Sequence, residues 1–91
     1  MVEKDSLKEI SKKEIRKMKQ IFKKIQLSKK KGKELFNLAK SYFEDSKYFF
    51  EKEDFIRAFE AVVISWAYID AGLHLKIFKI PESEKKFFTV E

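Results

Sequence analysis

The sequence has no cysteine, one histidine, one proline and two glycines in 91 residues. The missing cysteines exclude disulfides and thiolate metal sites. With a single histidine, a zinc site would take nearly all its other ligands from carboxylates, against that metal's preference for nitrogen and sulfur. No metal and no other cofactor is expected. Nor can a nucleophile, base and orienting group be assembled around His74 from sequence, so the chain reads as a non-enzyme. No run approaches the roughly 18 uninterrupted apolar residues of a membrane span. The first ten residues carry alternating charges instead of the apolar core of a signal peptide. The expectation is a cytoplasmic protein with no membrane partner. Scarce glycine and proline also mean few breakers, and therefore long helices.

The chain is rich in aromatic and charged residues. Ten Phe, three Tyr and one Trp are available for a core, and each large aromatic side chain buries roughly 150–250 Å². A chain of this length suits one domain. The charged content of 40%, dominated by Lys and Glu, fits a thermophile. The net charge of +6 is uneven: residues 1–33 hold 13 basic and 4 acidic residues, and residues 34–91 hold 8 and 11.

Hydrophobic spacing predicts an all-α, up-down-up antiparallel three-helix bundle with a short C-terminal tail, in a single domain over 1–91. The helices are expected at about 6–28, 33–52 and 54–78, with the tail at 79–91. In helix one, Ser6 and Ser11 each open a capping box, with Glu9 and Glu14 at its far end. Leu7, Ile10, Met18, Ile21, Phe22 and Ile25 form one apolar stripe. Lys29, Lys30 and Lys31 are expected against the negative end of the helix dipole, with Gly32 as terminator. Helix two carries the seam Leu35, Leu38, Ala39, Tyr42, Ser46 and Phe49. Beside it run Phe36, Phe43 and Phe50, so this helix should touch two neighbours. Asp54 is the expected N-cap of helix three.

Helix three carries two opposed seams. One is Phe55, Phe59, Val62, Trp66, Ile69, Leu73 and Ile77; the other is Ala61, Ile64, Tyr68, Ala71, Leu75 and Phe78. A helix apolar on all sides is normally covered on all sides, and two neighbours cannot do that. Either the tail residues Phe87, Phe88 and Val90 fold back over the second seam, or another chain covers it. Ala58, Ser65 and Gly72, seven apart, leave room for a close neighbour.

Two stretches carry a family resemblance. The first runs Leu38-Ala39-Lys40-Ser41-Tyr42-Phe43-Glu44-Asp45-Ser46-Lys47-Tyr48-Phe49. The second runs Asp54-Phe55-Ile56-Arg57-Ala58-Phe59-Glu60-Ala61 and continues through Ser65-Trp66 to Asp70-Ala71-Gly72. Together they resemble the archaeal family catalogued as domain of unknown function 357. The resemblance implies an archaeal origin and a helical bundle, and it brings no activity with it. Glu53 stands where that family often has a turn glycine, which makes a left-handed turn residue costlier here.

Three sets of residues are candidates for function. Ala61, Ile64, Tyr68, Ala71, Leu75 and Phe78 would form an interface with a protein partner or a second copy of the chain. Arg16, Lys23, Lys24, Lys29, Lys30, Lys31 and Lys33 would contact an anion or a nucleic-acid backbone; the bland alternative is a solvated lysine face. Arg57, Glu60, Asp70 and His74 form a polar set on helix three. Asp70 and His74, four apart, share one face. They either line a pocket as a carboxylate–imidazole pair with Glu60 on the neighbouring flank, or Asp70 accepts a hydrogen bond from a Tyr or Lys of another helix and His74 lies at the surface; Arg57 either pairs with Glu60 or reaches Glu44 or Asp45. The leading expectation is a non-enzymatic, self-associating or partner-docking module; the alternative is a nucleic-acid-binding accessory domain using helix one.

Overall fold

In the computed structural model, residues 4–28 and 30–88 are described. Three long helices dominate: α1 (Lys4–Lys24), α2 (Gly32–Glu51) and α3 (Phe55–His74). Two short strands, β1 (Gln26–Leu27) and β2 (Phe78–Lys79), and a 3₁₀ helix (Glu82–Phe87) complete the chain.

The second half of the α1 stripe faces the core as its spacing predicts, with Met18 and Ile21 fully buried, but Ile10 is 44% exposed. Ser11 does not cap the helix. It is fully buried about two turns inside it, and its hydroxyl donates to the Phe55 carbonyl at 3.2 Å. The helix stops at Lys24, four residues short of the expected end, and Lys23 and Lys24 occupy its last turn. The chain then extends as β1, which pairs antiparallel with β2 through Gln26–Lys79 and Leu27–Phe78. Ser28 continues this contact: its N–H donates to the Ile77 carbonyl at 2.7 Å and its hydroxyl to the Lys76 carbonyl at 2.5 Å. Residues 25–28 fit a helical stripe, but from Gln26 onward partners some fifty residues away pair with the backbone in extended form.

Gly32 begins α2; it does not terminate α1, and its φ is not positive. Its use is space, because a Cβ there would stand 2.3 Å from Ile77 Cγ2. Helix α2 ends in a Schellman motif. The N–H of Asp54 donates to the Phe49 carbonyl at 2.9 Å, that of Glu53 to Phe50 at 3.0 Å, and Glu53 sits at φ 61°. The position where the family favours glycine is thus left-handed. Asp54 caps α3 as predicted, accepting from the Arg57 N–H at 3.2 Å.

The same device closes α3. Ile77 N–H donates to the Gly72 carbonyl at 2.9 Å, Lys76 N–H to Leu73 at 3.1 Å, and Lys76 lies at φ 60°. Helix three therefore ends at His74, four residues before the predicted stop. Phe78 leaves the helix and turns back as part of β2, 2% exposed. Its ring lies over Gly72, where a Cβ would stand 2.1 and 2.3 Å from Phe78 Cδ2 and Cε2.

The up-down-up order follows from cross-helix partners. Phe50 meets Phe55 and Tyr42 meets Tyr68, so α2 and α3 run antiparallel. Ser11 reaches Phe55 near the start of α3, whereas Lys24 reaches Glu84 beyond its end, so α1 and α3 run parallel. The core joins Met18 and Ile21 to Ala39, Phe43, Val62, Ile69, Leu73 and Phe78. Phe22 stacks on Phe43 at 5.1 Å and meets the edge of Phe36 at 5.4 Å, while Phe36 meets Phe78 at 6.3 Å. The wide apolar arc of α2 is thereby divided between α1 and α3. The Ser65 hydroxyl donates to the Ala39 carbonyl at 2.7 Å, a contact possible only where two helix backbones come close.

Among the described residues no helix is long and apolar enough to cross a membrane.

Candidate functional site

The second seam of α3 divides. Ala61 and Phe78 are buried within the chain, 6% and 2% exposed, and so are unavailable to a partner. Phe78 left the seam because α3 stops at His74. Ile64 and Leu75 are 38% and 63% exposed, Ala71 is exposed, and Tyr68 is half-buried. Helix α2 extends this surface. Tyr42 stacks on Tyr68 at 5.7 Å, and Leu38, one turn before Tyr42, is 41% exposed. An apolar stripe from Ile64 to Leu75, broadened by Leu38, thus runs across the α2–α3 face. Phe87 and Phe88 do not cover it. They fold back onto Trp66, on the other side of α3, with ring centroids 6.3 and 4.9 Å from the indole. Val90 lies outside the described residues.

Arg16, Lys23, Lys30, Lys31 and Lys33 are exposed, and Lys30 and Lys33 line a shallow recess with Leu27 and Ser28. Lys29 lies outside the described residues. Lys24 is committed elsewhere: its ammonium lies 2.6 Å from the carboxylate of Glu84, which is 6% exposed. That pair fastens the 3₁₀ helix to the end of α1.

The polar set on α3 does not converge. Arg57 stays with its own cap, Nε 3.6 Å from Asp54 Oδ2, with its guanidinium carbon 5.8 Å from the Phe49 ring centroid; Glu44, Asp45 and Glu60 are not its ion-pair partners. Asp70 and His74 pair at 3.7 Å, as their spacing predicts. Thirteen residues separate Arg57 from Asp70, about 20 Å of helix at roughly 1.5 Å per residue. Glu60 is exposed between them. Among the described residues, no group of three or more His, Cys, Asp or Glu side chains is placed to hold a metal ion.

One feature was not legible in the sequence. A groove of about 540 Å³ lies between α1, α3 and the 3₁₀ helix, with Glu14 and Lys17 on one side, Val63, Trp66, Ala67 and Asp70 on the floor, and Lys86, Phe87 and Phe88 on the other side. Trp66 Nε1 is buried and has no hydrogen-bond partner among the described residues. The spacing of Trp66 assigns it to the core, and only the return of the tail turns that stretch of core into a groove.

The model of the family described as "Protein of unknown function (DUF357)" matches residues 8–78, and the chain belongs to that family. The crystal structure of protein AF1782 from Archaeoglobus fulgidus, described as DUF357, has the same fold. It is 28% identical, with a TM-score of 0.76 over 86% of this chain and 97% of that one. No curated protein matches the chain.

Proposed function

We propose that this member of the DUF357 family is a non-enzymatic helical interaction module of the cytoplasm. It self-associates as a homodimer, or docks on a protein partner, through the α2–α3 face. The observation that carries this reading is the exposure of Leu38, Ile64 and Leu75 around the Tyr42–Tyr68 pair. Single exposed apolar residues are ordinary on any protein surface. A stripe spanning about three turns of one helix and reaching a second is an interaction surface by its continuity. Fully burying an aliphatic side chain of this size is worth roughly 1.5–3 kcal/mol, so pairing two such stripes about a two-fold axis repays a large share of the cost of association.

Sedimentation velocity across a wide concentration range tests self-association, and capture of partners on the immobilised chain tests docking. Leu75→Lys together with Ile64→Lys is expected to abolish whichever of the two is found. A chain that stays monomeric and whose captured proteins are unaffected by the double variant would refute the reading.

A second reading, nucleic-acid binding through α1, draws on the basic excess of residues 1–33 and on the exposure of Arg16, Lys23, Lys30, Lys31 and Lys33. Backbone contacts of this kind weaken steeply with salt. Charge reversal at Arg16 and Lys23 is expected to remove them in a filter-binding titration; no binding at low salt would end this reading.

A further inference from the structure

We infer that the groove between α1, α3 and the 3₁₀ helix binds a small apolar monoanion, an aryl carboxylate in chemical class. The polar groups of the groove divide into those already satisfied and those left over. Glu14 is engaged by Lys17 at 3.1 Å, and Asp70 by His74 at 3.7 Å. The carboxylates therefore have partners. The donors are the groups left over. Lys86 has no ion-pair partner among the described residues, and its ammonium lies 5.3 Å from the Phe87 ring centroid. Lys17 approaches the same ring at 5.4 Å but is held by Glu14. Trp66 Nε1 is a buried donor with no acceptor among the described residues, an arrangement that native structures rarely leave uncompensated.

The unpaired Lys86 ammonium, beside a buried indole N–H without an acceptor among the described residues, calls for an acceptor that carries negative charge. The remaining lining supplies the rest of the complementarity. Val63, Ala67, Phe87 and Phe88 are apolar, and Val63 is 44% exposed. The volume of about 540 Å³ falls in the usual range for a small-molecule site. The ligand is thus an apolar body with one anionic end. Its carboxylate pairs with Lys86 and accepts from Trp66. Phe88, 4.9 Å from the indole, covers that donor, so the ligand enters by shifting the Phe88 ring. The floor of this site, Val63, Trp66, Ala67 and Asp70, shares no residue with the Ile64–Leu75 stripe, and the inference does not depend on the interaction reading.

Trp66 is the sole tryptophan, so its indole N–H resonance in a ¹⁵N-correlated NMR spectrum reports the site without ambiguity. The probe is 2-naphthoate, and the control is 2-naphthamide, of the same shape with an acceptor oxygen and no charge. Naphthoate is expected to move the indole proton downfield in a saturable, one-to-one titration. The amide is expected to bind about tenfold more weakly, the scale of one charge-assisted contact. Lys86→Gln, a change at an exposed side chain, is expected to reduce naphthoate to the level of the amide. No saturable shift, equal binding of acid and amide, or naphthoate binding unchanged by Lys86→Gln would each overturn the inference.

Discussion

Replacing Gly72 by alanine separates two physical effects of opposite sign. Gly72 is helical, and in an uncrowded helix alanine is favoured over glycine by about 1 kcal/mol. Propensity alone therefore predicts a more stable protein. Packing predicts the reverse. The new methyl would stand 2.1, 2.3 and 2.9 Å from Cδ2, Cε2 and Cγ of Phe78. The ring cannot easily retreat, because it is 2% exposed and meets Phe36 edge-on at 6.3 Å. Overpacking of this kind costs about 1–3 kcal/mol. After the propensity gain, the net destabilisation is about 0–2 kcal/mol, and for a domain of this size each kcal/mol shifts the melting temperature by roughly 4–8 °C.

Circular dichroism at the helical band, in thermal and urea unfolding, measures the change. The Phe78→Ala background provides the internal control. That substitution alone costs about 3–5 kcal/mol, but it removes every atom that the Gly72 methyl would strike. In that background Gly72→Ala is expected to be neutral or stabilising by up to about 1 kcal/mol. A higher melting temperature for Gly72→Ala in the otherwise native chain would refute the reasoning, because it would mean that Phe78 does not pack on Gly72.

Other consequences follow from the two helix ends and from the tail. Glu53→Gly and Lys76→Gly each relieve a left-handed residue that costs about 1–2 kcal/mol with a side chain; after the entropy cost of glycine, each is expected to raise the urea midpoint by the equivalent of about 1 kcal/mol. Lys24→Met removes the partner of the buried Glu84 carboxylate, and a charged hydrogen bond of this kind is worth about 1.5–3 kcal/mol; the expected signature is faster amide exchange in residues 82–88 with α2 unaffected. Leu75→Lys, at a position 63% exposed, is expected to change monomer stability by no more than about 0.5 kcal/mol, so any loss of association in that variant reports the interface and not the fold.

The resemblance carried by residues 38–49 and 54–72 pointed to the right family, and the bundle was legible because each helix has an apolar stripe at helical spacing. The Asp54 cap, the division of α2 between two neighbours and the Asp70–His74 pair were legible for the same reason: they depend on positions within one helix or one turn. The helix ends at Lys24 and His74 were not. Leu75 and Phe78 continue the helical pattern, and no breaker precedes Pro81. What ends α3 is a left-handed Lys76, a residue with no intrinsic preference for that conformation. The conformation is held in place by the pairing of β2 with β1 and by the Phe78 ring on Gly72.

The candidate interface was legible only in part, since Ala61 and Phe78 were expected at the surface and lie in the core. Arg57 and Asp70 were grouped by chemistry, although the helix that carries both keeps them about 20 Å apart.

The sequence by itself determined a cysteine-free, three-helix chain with a basic first third and a third helix apolar on two sides. Those properties are local: they depend on residue type and on spacing of three, four or seven. Only the tertiary structure decided which of the two sides is covered. Phe87 and Phe88 return to Trp66, leaving Ile64 and Leu75 open and creating a groove around the indole. The physical reason is the non-local anchoring of the tail. The β1–β2 pairing and the Lys24–Glu84 contact join residues some fifty to sixty positions apart, and no periodicity along the chain encodes on which side of α3 such contacts bring the tail to rest.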